Sequence, residues 1–230
     1  MVSGSFTADE RERALQVIAR ALAEVRHPVE DPRVRITRHR GPAPFVVVQA
    51  NVTVAERLVR AQASAPTVAE AAGRAAARLS HRLSLLGRYL NATGTGHPVF
   101  AGTRRAHLPA NPRPWLPMTG RGLLRSKLVP LAVQPPDAAA LSMTLRDYDF
   151  HIFVDDTGGE CVVHRDRSGG YGLLRLPGNV RQAIPLAEAV ERLNTSLRLR
   201  YLFFADPGSG RGRVLYRRYD GHLGLITPAW

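Results

Sequence analysis

Apolar residues recur along the first ninety positions with two periods. Leu15, Ile18, Leu22 and Val25 stand three and four apart, which predicts a helix. Thr7-Ala8-Asp9-Glu10 opens it as a capping box, the Thr hydroxyl accepting from a free amide while the Glu reaches back. The helix should stop before His27-Pro28, because proline disfavours helical geometry in its predecessor. The period then falls to two. Arg33–Arg40 sets Val34 and Ile36 on one face and Arg33, Arg35, Thr37 and His39 on the other. Phe45–Val54 and Arg57–Ala63 are two more strand-like runs, the first rich in Val, and Pro42 and Pro44 break the chain before them. A second capping box, Thr67-Val68-Ala69-Glu70, starts a long helix. Its stripe is Val68, Ala72, Ala75, Leu79, Leu83, Leu86 and Leu90. Arg74, Arg78 and Arg82 stand four apart beside that stripe, and His81 and Arg88 extend the polar side.

Residues 91–124 hold five Pro and five Gly and fit no core, so they read as a linker. Beyond it one pattern occurs twice. Asp149-Phe150-His151-Ile152-Phe153-Val154-Asp155, Val162-Val163-His164-Arg165 and Gly169-Gly170-Tyr171-Gly172-Leu173-Leu174 form the first pass. Arg200-Tyr201-Leu202-Phe203-Phe204-Ala205-Asp206, Val214-Leu215-Tyr216-Arg217 and Gly221-His222-Leu223-Gly224-Leu225-Ile226 form the second. Each reads strand, helix, then three strands. The first starts near Lys127–Ala132 with a helix from Pro136, and the second near Val180–Ile184 with a helix from Pro185. Two copies are too few for a solenoid, which must stack more units to bury a continuous core. They suit a pseudo-dimer inside one chain. The expected organisation is α+β. An N-terminal helix–three-strand–helix domain spans 1–90, a linker 91–124, and two strand–helix–three-strand repeats 125–178 and 179–230.

The chain has 230 residues, 44% apolar and 22% charged, which is ordinary for a soluble globular protein. No apolar run approaches the roughly 18 residues of a membrane span. The first residues, Met-Val-Ser-Gly-Ser-Phe-Thr, have neither the charged start nor the apolar core of a secretory signal. The single cysteine, Cys161, lies in a strand pattern and reads as a buried, inert thiol, in keeping with an intracellular, reducing compartment. The net charge of +13 is unevenly spread. Residues 1–90 hold 14 Arg against 8 acids, and residues 91–135 hold 5 Arg and Lys127 with no acid. Residues 136–230 nearly balance, with 12 Arg and 11 acids. The front and linker therefore suit a polyanion partner. Base-composition bias accounts for 31 of 32 basic residues being Arg, but not for the acid-free linker.

No catalytic constellation stands out. The eight histidines are scattered without metal-ligand spacing, so no metal and no cofactor is expected. Gly208-Ser209-Gly210-Arg211-Gly212 precedes a strand, not a helix amino terminus, and reads as a hairpin turn. Two readings stand for Arg104, Arg105 and Arg113 with Phe100 and Trp115. They lie along single-stranded RNA with bases stacked on the rings, or they form a tether whose aromatics dock on a neighbouring domain. For the Arg74–Arg82 stripe the alternatives are an RNA-facing surface and a solvated helix face. Few acids interleave, so i,i+4 ion pairing is not its main purpose.

Tyr148-Asp149-Phe150-His151-Ile152-Phe153, Val162-Val163-His164-Arg165 and Gly170-Tyr171-Gly172-Leu173 resemble the C-terminal domain of long-form ribosome hibernation promoting factors, also labelled sigma-54 modulation or S30EA proteins. Val214-Leu215-Tyr216-Arg217-Arg218 and Asp220-Gly221-His222-Leu223-Gly224-Leu225-Ile226 resemble it more closely. Val47-Val48-Gln49-Ala50-Asn51, Arg60-Ala61-Gln62 and Thr67-Val68-Ala69-Glu70-Ala71 are looser pieces of the N-terminal domain. One front domain with two back copies is like the actinobacterial form linked to dormancy and hypoxia.

That resemblance implies a cytoplasmic, non-enzymatic protein of ribosome hibernation. It would bind the small ribosomal subunit, alone or in 70S ribosomes, in the mRNA/tRNA path, blocking translation and protecting idle ribosomes. The family's first strand should precede the first helix, where only Met1–Phe6 are available, so it is shortened or lost. The physical reading assigns rRNA contacts to Arg33, Arg35, Arg38, Arg57, Arg60, Arg74, Arg78, Arg82 and Arg88. It assigns linker contacts to Arg104, Arg105 and Arg113. The expected pseudo-dimer core is Phe150, Ile152, Phe153, Val162, Tyr171 and Leu173 against Tyr201, Phe203, Phe204, Val214, Leu223 and Leu225. With the dimer partner already in the chain, a monomer that does not pair ribosomes follows. The alternative is a general RNA-binding or transcription-modulating protein, and an alternative packing keeps a free edge on both copies and dimerises between chains.

Overall fold

A computed structural model describes all residues except 1, 4–5, 41–43, 93–119, 166–169, 176–182, 197–198, 219–220 and 230. The chain divides into two compact units, Met1–Pro112 with Leu141–Tyr148, and Arg113–Ala140 with Asp149–Trp230.

The first unit runs β1 (Val2–Ser3), α1 (Ala8–Ala23), β2 (Val29–His39), β3 (Phe45–Val54), β4 (Arg57–Ala65) and α2 (Val68–Ala92), and its sheet order is β1-β2-β3-β4. The family's first strand is thus shortened and not lost. Val2 and Ser3 pair parallel with Ile36 and Thr37. The capping box forms as expected, with the Glu10 amide donating to Thr7 Oγ1 at 3.1 Å and the Thr7 amide to Glu10 Oε2 at 2.9 Å. β2 starts four residues before the expected strand. It accommodates Pro32 at a register shift between Glu30 and Arg33, where Asp31 has a positive φ. Alternation puts Val46, Val48, Ala50, Val52 and Val54 of β3, with Val59, Ala61, Ala63 and Ala65 of β4, into one core. Ala14, Ile18 and Ala21 of α1 and Val68, Ala72, Ala75, Leu79, Leu83 and Leu86 of α2 complete that core, and Leu141 and Leu145 join it.

The second unit contains β5 (Leu123–Val129), the start of α3 (Pro136–Leu145), β6 (Phe150–Val154), β7 (Glu160–Arg165) and β8 (Tyr171–Arg175). It continues with α4 (Leu186–Thr195), β9 (Tyr201–Ala205), β10 (Gly212–Arg217) and β11 (Leu223–Pro228). The repeats give two sheets, β6-β7-β8 and β5-β11-β10-β9. The fold class is α+β, as the periodicities require.

The first strand of repeat 1 does not stay with its own copy. β5 crosses to the second repeat's sheet and runs parallel to β11, Leu225 opposite Ser126 and Thr227 opposite Leu128. Local pattern carries no information about such an exchange. In the second repeat, Val180–Gln182 of the expected first strand lie outside the described residues. Ala183 bridges Ala205, as Val133 bridges Val154 in the first. The internal symmetry also reaches two close approaches. Gly172 lies under the His164 ring and Gly224 under the Tyr216 ring, where a Cβ at Gly224 would stand 2.5 Å from Tyr216 Cζ. Only glycine fits there.

The expected pseudo-dimer core divides in two. Phe150, Ile152, Val162 and Val214 form one buried cluster with Tyr201, Phe203, Leu131, Leu174, Tyr216 and Ile226. Phe150 stands 5.1 Å from the Tyr201 ring and 5.8 Å from Tyr216, in tilted geometry. Phe204, Leu223 and Leu225 instead pack beneath α4, with Ile184, Ala189 and Leu193. Phe153, at the position equivalent to Phe204, is fully buried outside the inter-repeat cluster. Side chains alternate across a strand, so the neighbours Ile152 and Phe153, or Phe203 and Phe204, cannot share a face. Tyr171 is half-buried with the Arg165 guanidinium 5.5 Å above its ring, and Leu173 is exposed.

Candidate nucleic-acid interface

The face of the first sheet opposite its apolar core carries a polar lattice. Register places Arg33, Asn51 and Arg60 in one cross-strand row and Arg35, Gln49 and Gln62 in the next. Gln49 Nε2 donates to Asn51 Oδ1 at 3.1 Å, and Arg60 donates to Gln49 Oε1 at 3.2 Å and to Gln62 Oε1. Farther along, the His39 and Phe45 rings stack 4.5 Å apart. Arg33 and Arg35 are exposed. Arg33 pairs with Asp31 at 2.9 Å in solvent, a contact that is weak and easily exchanged. Among the described residues, Arg35 has no carboxylate partner. Cations, amides able to donate and accept, and a stacked ring pair are the groups that hold phosphates and unpaired bases.

The remaining arginines meet different fates. Arg38 lies on the Ile36 side of β2, 3.3 Å from Glu10 and 4.7 Å above the Phe6 ring. Arg57 lies over the Tyr89 ring at 5.1 Å and Arg60 over Tyr148 at 5.7 Å. Arg74 is exposed and donates to the Ser64 carbonyl at 3.1 Å, tying α2 to β4, and Arg88 donates to Ser84 Oγ at 3.0 Å.

Arg78 and Arg82 are internal. Arg78 pairs with Asp147 at 2.8 Å, and Arg82, only 3% exposed, also pairs with Asp147. Arg82 further donates to the Thr144 and Arg78 carbonyls, each at 2.9 Å. The Gln62 amide donates to the same carboxylate at 2.9 Å. The structure thus places Arg78 on Asp147, and Arg82 on Asp147 and two carbonyls, and not on the open helix face expected for them. Asp147 is not legible as a partner from sequence, since it lies 65 residues beyond Arg82. The Gln49–Asn51–Gln62 lattice is a further set that the arginines alone do not reveal. Its signal is the polar half of the strand alternation, amides included. Arg104, Arg105 and Arg113 lie outside the described residues.

The second unit offers buried, satisfied chemistry. Asp155 accepts from Thr157 Oγ1 at 2.6 Å and from the Thr157 and Gly159 amides at 3.0 and 2.9 Å. Cys161 Sγ stands 3.4 Å away, and Arg175 pairs with the carboxylate at 2.6 Å. The Thr157 hydroxyl foremost, against the opposing effect of burial, and then the Gly159 amide, Cys161 and the Thr157 amide hold the Asp155 carboxyl at about 2. Burial pushes the Cys161 thiol up, so it stays protonated and unreactive. Burial, aided by Asp149, pushes the Tyr201 phenol up to about 12. Glu160 accepts two bonds from Arg211, at 2.8 and 2.6 Å, and one from the Gly212 amide at 3.0 Å, joining the repeats. Among the described residues no cluster of three His, Cys, Asp or Glu could hold a metal. No described helix is long and apolar enough to cross a membrane.

A polar, cationic sheet face on one unit and a pair of matched sheets on the other define a binding protein. The model of the sigma 54 modulation/S30EA ribosomal protein C terminus matches residues 120–173. The chain is 32% identical over 257 aligned positions to a protein named "Dormancy associated translation inhibitor" from Mycobacterium tuberculosis (strain CDC 1551 / Oshkosh), and equally to that of strain ATCC 25618 / H37Rv. The match covers 98% of this chain and 86% of each relative. The chain belongs to the sigma-54 modulation/S30EA family of long-form ribosome hibernation factors. These factors are not enzymes.

Proposed function

We propose that this protein inhibits translation as a ribosome hibernation factor of the cytoplasm. It binds the small ribosomal subunit, alone or within the 70S ribosome, in the mRNA/tRNA path, and so silences and protects idle ribosomes. The observation that carries this reading is the polar face of the first sheet, with exposed Arg33 and Arg35 beside the Gln49–Asn51 amides. The name of the two mycobacterial relatives, which calls them translation inhibitors, supports the same direction. Occupancy, not chemistry, accounts for inhibition. It is stoichiometric with ribosomes and reversed by salt.

The test is a double variant, Arg33→Glu with Arg35→Glu, assayed for binding to purified small subunits across a salt series. Neither side chain supports the core, so the variant folds. Affinity falls steeply, and the log–log salt dependence flattens by about 0.7–0.9 for each phosphate that the protein no longer neutralises. Unchanged affinity and slope would remove rRNA binding from this face. Co-sedimentation of the wild-type protein with free RNA or RNA polymerase, and not with ribosomes, would favour a general RNA-binding or transcription-modulating role. Arg74 is a third exposed position for the same series, whereas Arg78→Glu and Arg82→Glu would set like charges beside Asp147 and disturb the fold itself.

A further inference from the structure

The turn that follows α3 holds a carboxylate in a site built for an anion. Asp147 receives the guanidinium groups of Arg78 and Arg82 and the backbone amide of Gln62, at the outer edge of β4. Two guanidinium groups and an amide converging on one oxyanion make the donor set that also recognises a phosphodiester. Both cations belong to the arginine face of α2. Leu141 and Leu145, shortly before Asp147 in the chain, are fully buried in the first unit's core and hold the segment in place.

The second repeat is an internal control. Aligned on Pro135 and Pro185, Leu141 and Leu145 of α3 correspond to Glu191 and Thr195 of α4, which are exposed. α3 therefore carries a second apolar face that its twin lacks, and the acid lies at the end of that face. Asp147 itself adopts a left-handed backbone, φ 58°, which a non-glycine residue holds only at a cost. Its turn is thus held by its contacts and not by local preference.

We propose that Asp147 is an intramolecular competitor of RNA phosphate. In the unbound protein it occupies Arg78 and Arg82. On the ribosome a backbone phosphate of rRNA takes its place, while Leu141 and Leu145 keep α3 anchored and only the Arg146–Tyr148 turn swings away. Arg60 gains freedom in the same step, because its guanidinium lies over Tyr148. The device makes tight binding conditional on a phosphate delivered at the right place, and weakens capture by stray RNA. It rests on the ribosome-binding reading above.

The experiment compares the full chain with Asp147→Asn on two probes, purified small subunits and a generic 20-residue RNA, at matched salt. If the closed turn outweighs the open one about tenfold, the variant binds both probes about tenfold tighter, because apparent affinity scales with the competent fraction. The thermal midpoint of the variant also rises more on adding RNA than that of the wild type. Equal or weaker binding by a folded variant overturns the proposal. Hydrogen exchange of the wild-type chain decides the matter even if the variant fails to fold. The amides of residues 146–148 should exchange faster with subunits bound, and unchanged or stronger protection there overturns the proposal. A wild type that ignores small subunits at every salt overturns the ribosome reading alone, since the RNA arm still reports on Asp147.

Discussion

Asp155 has almost no exposed surface, yet its carboxyl is held at about 2, because the hydroxyl and amides of the β6–β7 turn favour the ionised form. The ordinary aspartate value is about 3.9. A depressed folded-state pKa contributes stability above the unfolded value, and that contribution is lost as pH falls through the folded one. The second unit should therefore hold its stability down to about pH 4 and lose it progressively towards pH 2. Asp155→Asn should lower stability at neutral pH and flatten that acid limb, as read by chemical denaturation at a series of pH values. An acid limb identical in the variant would assign the dependence to other carboxylates. In the sequence, Asp155-Asp156 reads only as a turn. The turn is correct, but the buried acceptor is invisible there because its donors, Thr157 and Gly159, are ordinary turn residues.

Among the elements, the β3–β4 hairpin carries an internal conflict. Val54 pairs with Arg57, leaving Ala55 and Glu56 as a two-residue turn, with φ of 48° and 60°. A tight turn of that hand favours Asn-Gly, and L-residues with a Cβ cost roughly 1–2 kcal/mol each in that region. Ala55→Asn with Glu56→Gly should raise unfolding free energy by about 1 kcal/mol or more, measured by urea titration, without affecting ribosome binding. No gain would show that neighbouring contacts relieve the turn. The elements themselves are legible wherever one face meets the core. The capping box of α1, the stripe of α2 and the alternation of β3 all show their periods in the sequence. Assignment between faces and between partners is harder. Phe153 and Phe204 look like one patch with their neighbours Ile152 and Phe203, although alternation divides them. Arg82 looks like polar surface because its acid lies in a distant stretch. The spacing of Arg74, Arg78 and Arg82 is legible, but the inward placement of the last two is not, since burial by a remote segment leaves no local trace.

At the scale of the whole molecule, charge and symmetry divide the labour. The front and linker hold nearly all the net positive charge, and the duplicated back is close to neutral. A two-fold dimer uses the same patch on each partner. Here Phe150, Ile152 and Val162 from one copy meet Tyr201, Phe203 and Val214 from the other within a single chain. The short stretch between the copies gives them an effective concentration of about millimolar. The protein should sediment as a monomer, and saturated ribosomes should remain single. A dimeric factor together with a peak of paired ribosomes would show that the copies still pair between chains.

The exchanged strand has a consequence for the timing of synthesis. β5 finds its partner about 100 residues later, as the Gly122–His222 and Leu123–Leu223 pairings measure. At roughly 5–20 residues per second, translation leaves β5 waiting on the order of 5–20 s before β11 exists. During that time Leu124 and Leu128 have no sheet to join, and Arg125 and Lys127 are the charges that discourage a premature neighbour. The sheet can close only when β11 has left the tunnel. Until then a nascent chain carries a finished first sheet beside an unfinished second half.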